Sequence, residues 1–369
     1  MKRSMTREKI FEELRLKLHD TVPEAELWYK SEIIVQINEL KEKRNALILG
    51  HNYMEPVLYQ SVPDFVGDSL ELSRQAAQTD KDIIVFCGVH FMAETAKILS
   101  PHKTVLVPSA KAGCSLADGI TAQDVRWLRK KYPGAPVVAY VNTTAEVKAE
   151  ADICCTSANA SAIVQSLLSE TIIFVPDEYM ARNIAAETGK HVVLASLHPA
   201  DEGETQLDVQ LVGWHARCEV HEKFTVADLH AIRKQFPDVV IAAHPECSPE
   251  VIAEVDFSGS TTAMIRYVEN TTAPRYLLLT ECSMADNIVA ANPGKEMLRL
   301  CSVRCPHMNE ITLEDTLESL LRTRYVVDVP EPVRSRAYEA VRRMLTIEPA
   351  PPSDRSLDVE KPPSSSHSR

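Results

Sequence analysis

The chain has 369 residues, 45% hydrophobic and 25% charged, the balance of a globular protein with two or three domains of ordinary size. Lys and Arg number 40 against 52 Asp and Glu, a net charge of -12. That argues against a nucleic-acid partner bound through its phosphates, but not against an anionic small substrate held in a locally positive pocket. No apolar run approaches the roughly 18 residues that span a bilayer. The charged start "MKRSMTREKIFEELRLKLHD" lacks the apolar core of a secretory signal. Nine cysteines without a compact, even-spaced pattern fit a reducing compartment. The expectation is a soluble cytoplasmic protein that associates with no membrane.

In chain order, residues 1–30 read as a charged, helical N-terminal extension. Short β-type runs then alternate with helical patterns: "ALILGH", "IIVFCGV", "TVLVPS", "PVVAYVN", "TIIFVP", "HVVLAS", "VVIAAHP" and "RYLLLTE". Continuous β-branched runs of this kind are buried on both faces, the mark of a parallel sheet between helices. "TAQDVRWLRKKYPG" carries apolar residues at helical spacing between two of them. Residues 349–369, rich in Pro and Ser, read as a disordered tail.

The chain also repeats itself. "DFVGDS" at Asp64, "DICCTS" at Asp152 and "DFSGST" at Asp256 stand before Met92, Met180 and Met284 at one separation of 28 residues (64 to 92, 152 to 180, 256 to 284). The units are offset by 88 and then by 104 residues (64 to 152, 152 to 256). Each unit has a strand ending in a polar cluster: "GHNYMEP", "YVNTTAE" and "AHPECSPE". Ligands gather beyond the carboxyl ends of parallel strands, so three such ends predict three arms of one site. The fold class is therefore α/β, with three pseudo-symmetric α/β/α units. Their expected limits are 31–108, 109–195 and 196–305, with 306–345 returning onto the first.

The repeat sorts the cysteines. Cys114 follows Met92 by 22 residues and Cys305 follows Met284 by 21 (92 to 114, 284 to 305). Cys218 lies 104 residues after Cys114, with an insertion around "HPADEGETQLDVQL" before it. One cysteine per unit at an equivalent place predicts three metal ligands on a pseudo-threefold axis. Zinc ordinarily takes four protein ligands, or three where one position is open. An iron–sulfur cubane ordinarily takes four thiolates, so three leave one iron open to substrate as a Lewis acid. Taken singly, each cysteine reads as a buried core thiol; the symmetry is what favours ligation. Cys87 falls in a strand, Cys154 and Cys155 at a helix opening, and Cys247 and Cys282 just after strands, where either could line the site. Cys301 is the ambiguous neighbour of Cys305. Met92, Met180 and Met284 read as core.

These motifs, with "GVHFMAETAKILSP", "AGCSLAD", "FVPDEYMA", "GSTTAMI" and "CPHMNEITLEDTLESL", resemble the quinolinate synthase family in order over about residues 35–325. The resemblance implies a trefoil of three domains around a central 4Fe–4S cluster, with Cys114, Cys218 and Cys305 as ligands. It implies a transferase of de novo NAD biosynthesis that condenses iminoaspartate with dihydroxyacetone phosphate to quinolinate, releasing phosphate and water. It also implies a functional link to L-aspartate oxidase. By the same resemblance Glu246 is a general acid/base with His244 beside it. Tyr53 handles proton transfer, His51 orients substrate, and Tyr140 and Asn142 contact it.

Ser69, Ser157, and Ser260 with Thr261 are expected to open helices, where a hydroxyl at a helix N-terminus either caps the helix or binds an anion. As rivals, a hydroxymethylbutenyl diphosphate reductase needs a diphosphate pocket and an electron donor. A non-enzymatic iron–sulfur sensor needs an appended basic helix, and a degenerate paralogue would have lost His51, Tyr53 or Glu246. "YVNTTAEVKAEAD" and "HPE" favour the synthase.

Overall fold

A computed structural model describes residues 6–195, 209–298 and 303–349. The chain opens with helices Arg7–Leu18 and Glu24–Lys43. The first unit holds β1 (Ala46–His51), β2 (Phe65–Gly67), β3 (Ile83–Cys87) and β4 (Thr104–Leu106). The second holds β5 (Val137–Tyr140), β6 (Ile153–Cys155), β7 (Ile172–Val175), β8 (Val192–Leu194) and β9 (Leu211–Gly213). The third holds β10 (Val239–Ala243), β11 (Phe257–Ser258), β12 (Arg275–Leu279) and β13 (Glu296–Leu298). Near the C-terminus β14 (Val326–Val327) returns to the first sheet.

The sheets run β14-β4-β3-β1-β2, β6-β5-β7-β9-β8 and β11-β10-β12-β13. All pairings are parallel except β14 with β4. Helices cover the sheets, so the central strands are buried on both faces; every residue of β1, β3, β5 and β7 is buried. Each buried Ile, Leu, Val or Phe contributes about 1.5–3 kcal/mol. This is the three-unit α/β arrangement that the repeat predicts.

The repeated aspartates do one job three times. Asp64, Asp152 and Asp256 each accept a backbone N–H of the central strand on Oδ2: Ile48 at 2.9 Å, Val137 at 2.7 Å and Ile241 at 2.7 Å. Each returns its own N–H to the carbonyl of that same residue. A cation from the preceding helix completes the set: Lys41 at 3.0 Å, Arg129 at 2.8 Å and Arg233 at 3.1 Å. Those cations keep the repeat offsets too, 41 to 129 and 129 to 233. Each aspartate thus fixes the crossover to the edge strand, and with it the place of the polar cluster that ends the central strand.

Two expected limits differ from the observed elements. Residue 30 lies inside helix Glu24–Lys43, because that helix is the first unit's counterpart of Ala122–Lys131 and Val226–Gln235. Residue 195 is not the end of the second sheet, which also takes in β9. Thr104, Val192 and Glu296 open strands at equal distances from Met92, Met180 and Met284, yet β9 inserts between β7 and β8. The segment before Cys218 thereby adds a strand to the middle unit. Cys154 and Cys155 lie in β6 rather than at a helix opening, and are fully buried.

The returning C-terminal segment reaches beyond the first unit. Helix Leu313–Arg322 packs on Glu24–Lys43, while helix Val333–Thr346 packs on β6 and on helices of the first two units. Arg336 pairs with Glu150 at 2.9 Å, and Asn159 donates to the Met344 carbonyl at 3.0 Å. No described helix is long and apolar enough to cross a membrane. Cys301 and residues 350–369 of the expected tail lie outside the described residues, as does most of the inserted segment.

Candidate functional site

The carboxyl ends of β1, β5 and β10 converge on one cavity with about 660 Å³ of open space. Cys114, Cys218 and Cys305 all line it. The three cysteines sit in the same local structure. Each begins a short helical turn, and its carbonyl accepts the N–H four residues on: Asp118 at 3.0 Å, Glu222 at 3.0 Å and Asn309 at 3.1 Å. Backbone N–H groups beside each sulfur favour its thiolate: Ala117 and Leu116 at Cys114, His221 and Val220 at Cys218, Met308 and His307 at Cys305. The turn bearing Cys114 also meets the segment before Cys218 closely, since a Cβ on Gly119 would lie 2.5 Å from the Ala216 Cβ.

Burial pushes these thiols up, to about 12 for Cys114 and about 11 for Cys305, and well above the usual value for Cys218. Without a cation they hold their protons at neutral pH. Half-buried sulfurs around one cavity, each beside N–H groups that favour its thiolate, need metal charge to balance them once ionised together. The donor set therefore fits a metal group bound by three cysteines. Cys87, Cys154, Cys155, Cys247 and Cys282 do not line the cavity.

Beside Cys218 in the same cavity stands Glu246, 3% exposed. Tyr140 donates its phenol proton to Oε1 at 2.6 Å, His221 Nδ1 approaches Oε2 at 2.8 Å, and Asn142 Nδ2 reaches Oε1 at 3.3 Å. Burial alone would raise the pKa of this carboxyl. His244 and His221 beside it, with hydrogen bonds from His221 and Tyr140, hold it below the usual carboxylate range. Burial pushes the Tyr53 and Tyr140 phenols well up, so both keep their protons.

His51 and His244 share a device. The backbone N–H two residues on donates to Nδ1 in each: Tyr53 to His51 at 3.2 Å, Glu246 to His244 at 3.3 Å. Burial lowers their pKa values to about 4 and about 3, so both rings are neutral. With Nδ1 accepting, Nε2 carries the proton in both. That of His244 faces Ser157 Oγ at 3.1 Å. The 4.0 Å separation of His244 Nδ1 from Glu246 Oε1 is accordingly not a hydrogen bond.

Ser69, Ser157 and Thr261 line the cavity. Ser69 and Thr261 are the first residues of helices Ser69–Gln78 and Thr261–Asn270, but the caps are Asp68 and Ser260. Ser157 does not open a helix. Its helix is Ala160–Ser166, because Asn159 Oδ1 accepts the Thr156 N–H at 2.9 Å and folds residues 156–159 into a turn. Ser260 stands one step back from the cavity and donates to Asp68 Oδ2 at 2.9 Å.

His221 escaped the reading of the sequence. It is 2% exposed, stacks on His244 with ring centroids 4.7 Å apart, and lies 3.2 Å from Cys218 Sγ through Nδ1. Its only sequence signal is the spacing Cys-x-x-His in "CEVH". Cys218, His221 and Glu246 together offer ligand atoms within 4.8 Å of one another. Met92, read as core, also lines the cavity, and so do Glu219 and His307, which pair at 3.1 Å.

Residues 35–346 match the family model described as quinolinate synthetase A protein. The chain belongs to the quinolinate synthetase A family. Among its relatives, quinolinate synthase 2 of Mesorhizobium japonicum is 53% identical over 311 residues, 84% of this chain and 90% of that protein. The quinolinate synthase of Sinorhizobium medicae is 48% identical over 336 residues, 91% and 88% of the two chains. That of Xylella fastidiosa is 49% identical over 314 residues, 85% and 87%. As a member of this family the chain is an enzyme of NAD biosynthesis, and its three α/β units are the family's trefoil.

Proposed function

We propose that this enzyme condenses iminoaspartate with dihydroxyacetone phosphate to quinolinate, with release of phosphate and water, on a 4Fe–4S cluster held by Cys114, Cys218 and Cys305. The observation that carries the reading is threefold equivalence. Three cysteines begin similar turns, each with its carbonyl bonded to the N–H four residues on, around a cavity that also holds an ionised Glu246. When bound, such a cluster leaves one iron without a protein ligand and supplies a Lewis acid for a substrate oxygen.

The chain's own groups do the rest. Glu246, with its donors Tyr140, His221 and Asn142 already in place, is a carboxylate poised to take a proton from the condensing carbon or nitrogen. His51, neutral with Nε2–H free to donate, orients a substrate oxygen. His244 holds Ser157 in place from the other side. Tyr53, protonated, returns a proton to a leaving hydroxyl.

Two carboxylates and a phosphate need anchors. Ser69 and Thr261 present hydroxyls and backbone N–H groups at the starts of ten-residue helices, and Ser157 adds a third hydroxyl. Iminoaspartate is a reactive imine, which accounts for the functional link to L-aspartate oxidase as its source.

The test is turnover. Protein purified without oxygen forms quinolinate from iminoaspartate and dihydroxyacetone phosphate, and Glu246→Gln lowers the rate at least about 100-fold. Absence of quinolinate with the cluster present overturns the reading.

A further inference from the structure

The clusters that end β1 and β10 share one turn. The Met54 N–H bonds the His51 carbonyl at 3.0 Å, and the Cys247 N–H bonds the His244 carbonyl at 2.9 Å. Inside each turn stands one residue assigned to proton transfer, Tyr53 in the first and Glu246 in the second. The N–H of each is already given to an imidazole Nδ1. The carbonyls of each turn are held by an asparagine from another unit.

Asn183 and Asn287 stand three residues after Met180 and Met284, in helices Glu178–Thr188 and Cys282–Ala291. Asn183 Nδ2 donates to the Pro245 carbonyl at 2.8 Å and to the Cys247 carbonyl at 2.9 Å. Asn287 is 2% exposed, and its Nδ2 donates to the Asn52 carbonyl at 3.2 Å and to the Met54 carbonyl at 3.0 Å. Each amide thus takes the carbonyls of the two residues that flank Glu246 or Tyr53. Only the NH2 end of an amide, with its two protons, serves two acceptors at once.

The second unit therefore clasps the third, and the third clasps the first. The remaining step, from the first unit to the second, is built differently. Thr95 stands three residues after Met92 and bonds the Phe91 carbonyl of its own helix at 2.8 Å. Thr143 holds the place of Met54 and Cys247 (48 to 54, 137 to 143, 241 to 247). Its carbonyl goes to the buried Lys148 of its own unit, while Glu94 of the first unit accepts the Ala145 N–H at 3.0 Å. The asparagine is present where the turn carries a proton-transfer residue, and absent where it carries Asn142, assigned to substrate contact.

We propose that Asn183 and Asn287 are positioning residues for the synthase reaction: each fixes, from a neighbouring unit, the turn that aims Glu246 or Tyr53 into the cavity. Tyr53 and Glu246 line that cavity, whereas the two asparagines lie behind them and touch no substrate. The inference rests on the proposed roles of Tyr53 and Glu246.

Asn→Ala at either position removes the amide, and Asn→Asp removes its two protons at constant size, so one variant serves where the other does not fold. In loaded enzyme with matched iron content, each variant lowers kcat about 10- to 100-fold while KM moves less than about threefold. Positioning is local, so the cost of Asn183→Ala shrinks to less than about threefold in a Glu246→Gln background, and that of Asn287→Ala likewise in Tyr53→Phe. A general loosening of the fold would cost the same in either background. A parental kcat in either single variant, or the full loss repeated in either double variant, overturns the proposal. Should the parent itself make no quinolinate, the functional reading fails and crystal structures of the loaded proteins decide this one. The Asn183 variant then shows residues 244–247 displaced and the Asn287 variant residues 51–54, and turns left unmoved overturn the inference.

Discussion

Tyr140, at the end of the second unit's central strand, donates its phenol proton to Glu246 of the third at 2.6 Å. A hydrogen bond to a charged group contributes about 1.5–3 kcal/mol. Tyr140→Phe removes it and leaves Glu246 with His221 and Asn142. The expected result is a 10- to 100-fold fall in the rate of quinolinate formation, with iron content unchanged, measured by product formation at saturating substrate. An unaltered rate contradicts the place of Tyr140 in the site.

His51 ties the site to pH. Burial lowers its pKa to about 4, against 6.5 for a free histidine. The unfolded chain therefore binds a proton that the folded chain refuses between these values. The contribution of neutral His51 to stability is whole above pH 6.5 and falls away as pH drops toward 4, by at most about 3 kcal/mol. Denaturant unfolding followed from pH 7 to pH 4.5 shows a steeper loss in the parent than in His51→Gln. Parallel curves would remove His51 from the buried, neutral state assigned here.

Gly119 is a point of contact between two of the cysteine-bearing segments. Its missing Cβ would meet the Ala216 Cβ at 2.5 Å and the Leu116 carbonyl at 3.2 Å. Gly119→Ala drives the turn of Cys114 away from the segment that leads to Cys218, an overpacking of about 1–3 kcal/mol. Iron bound per chain falls in Gly119→Ala. It recovers in the double variant with Ala216→Gly, which reopens the space. Full loading in the single variant contradicts the claim that this contact sets the cysteine geometry.

The sequence shows the fold well where one residue type does one job in each unit. Asp64, Asp152 and Asp256 bond a backbone N–H of the central strand, and only a short carboxylate reaches it from there. That is why a spacing of 28 residues survives in all three (64 to 92, 152 to 180, 256 to 284). Cys114, Cys218 and Cys305 were legible for the same reason.

What the repeat hid is what the units do differently. The strand β9 slips between β7 and β8, so pairing order departs from chain order, and no local pattern records that. Ser157 looked like a helix start by analogy with Ser69 and Thr261. Asn159 captures the Thr156 N–H instead, and the helix begins at Ala160. His221 has no counterpart in the other units, and its importance comes from meeting Glu246 far along the chain.

The central claim is that Cys114, Cys218 and Cys305 together hold one cluster. The most direct measurement is iron and acid-labile sulfide per chain in protein purified without oxygen, for the parent and for Cys114→Ser, Cys218→Ser and Cys305→Ser. The account predicts about four of each in the parent and a marked loss in every single variant, with no such loss in Cys87→Ser. A parent that binds one zinc and no sulfide, or any of the three variants retaining the parental iron and sulfide, would contradict it.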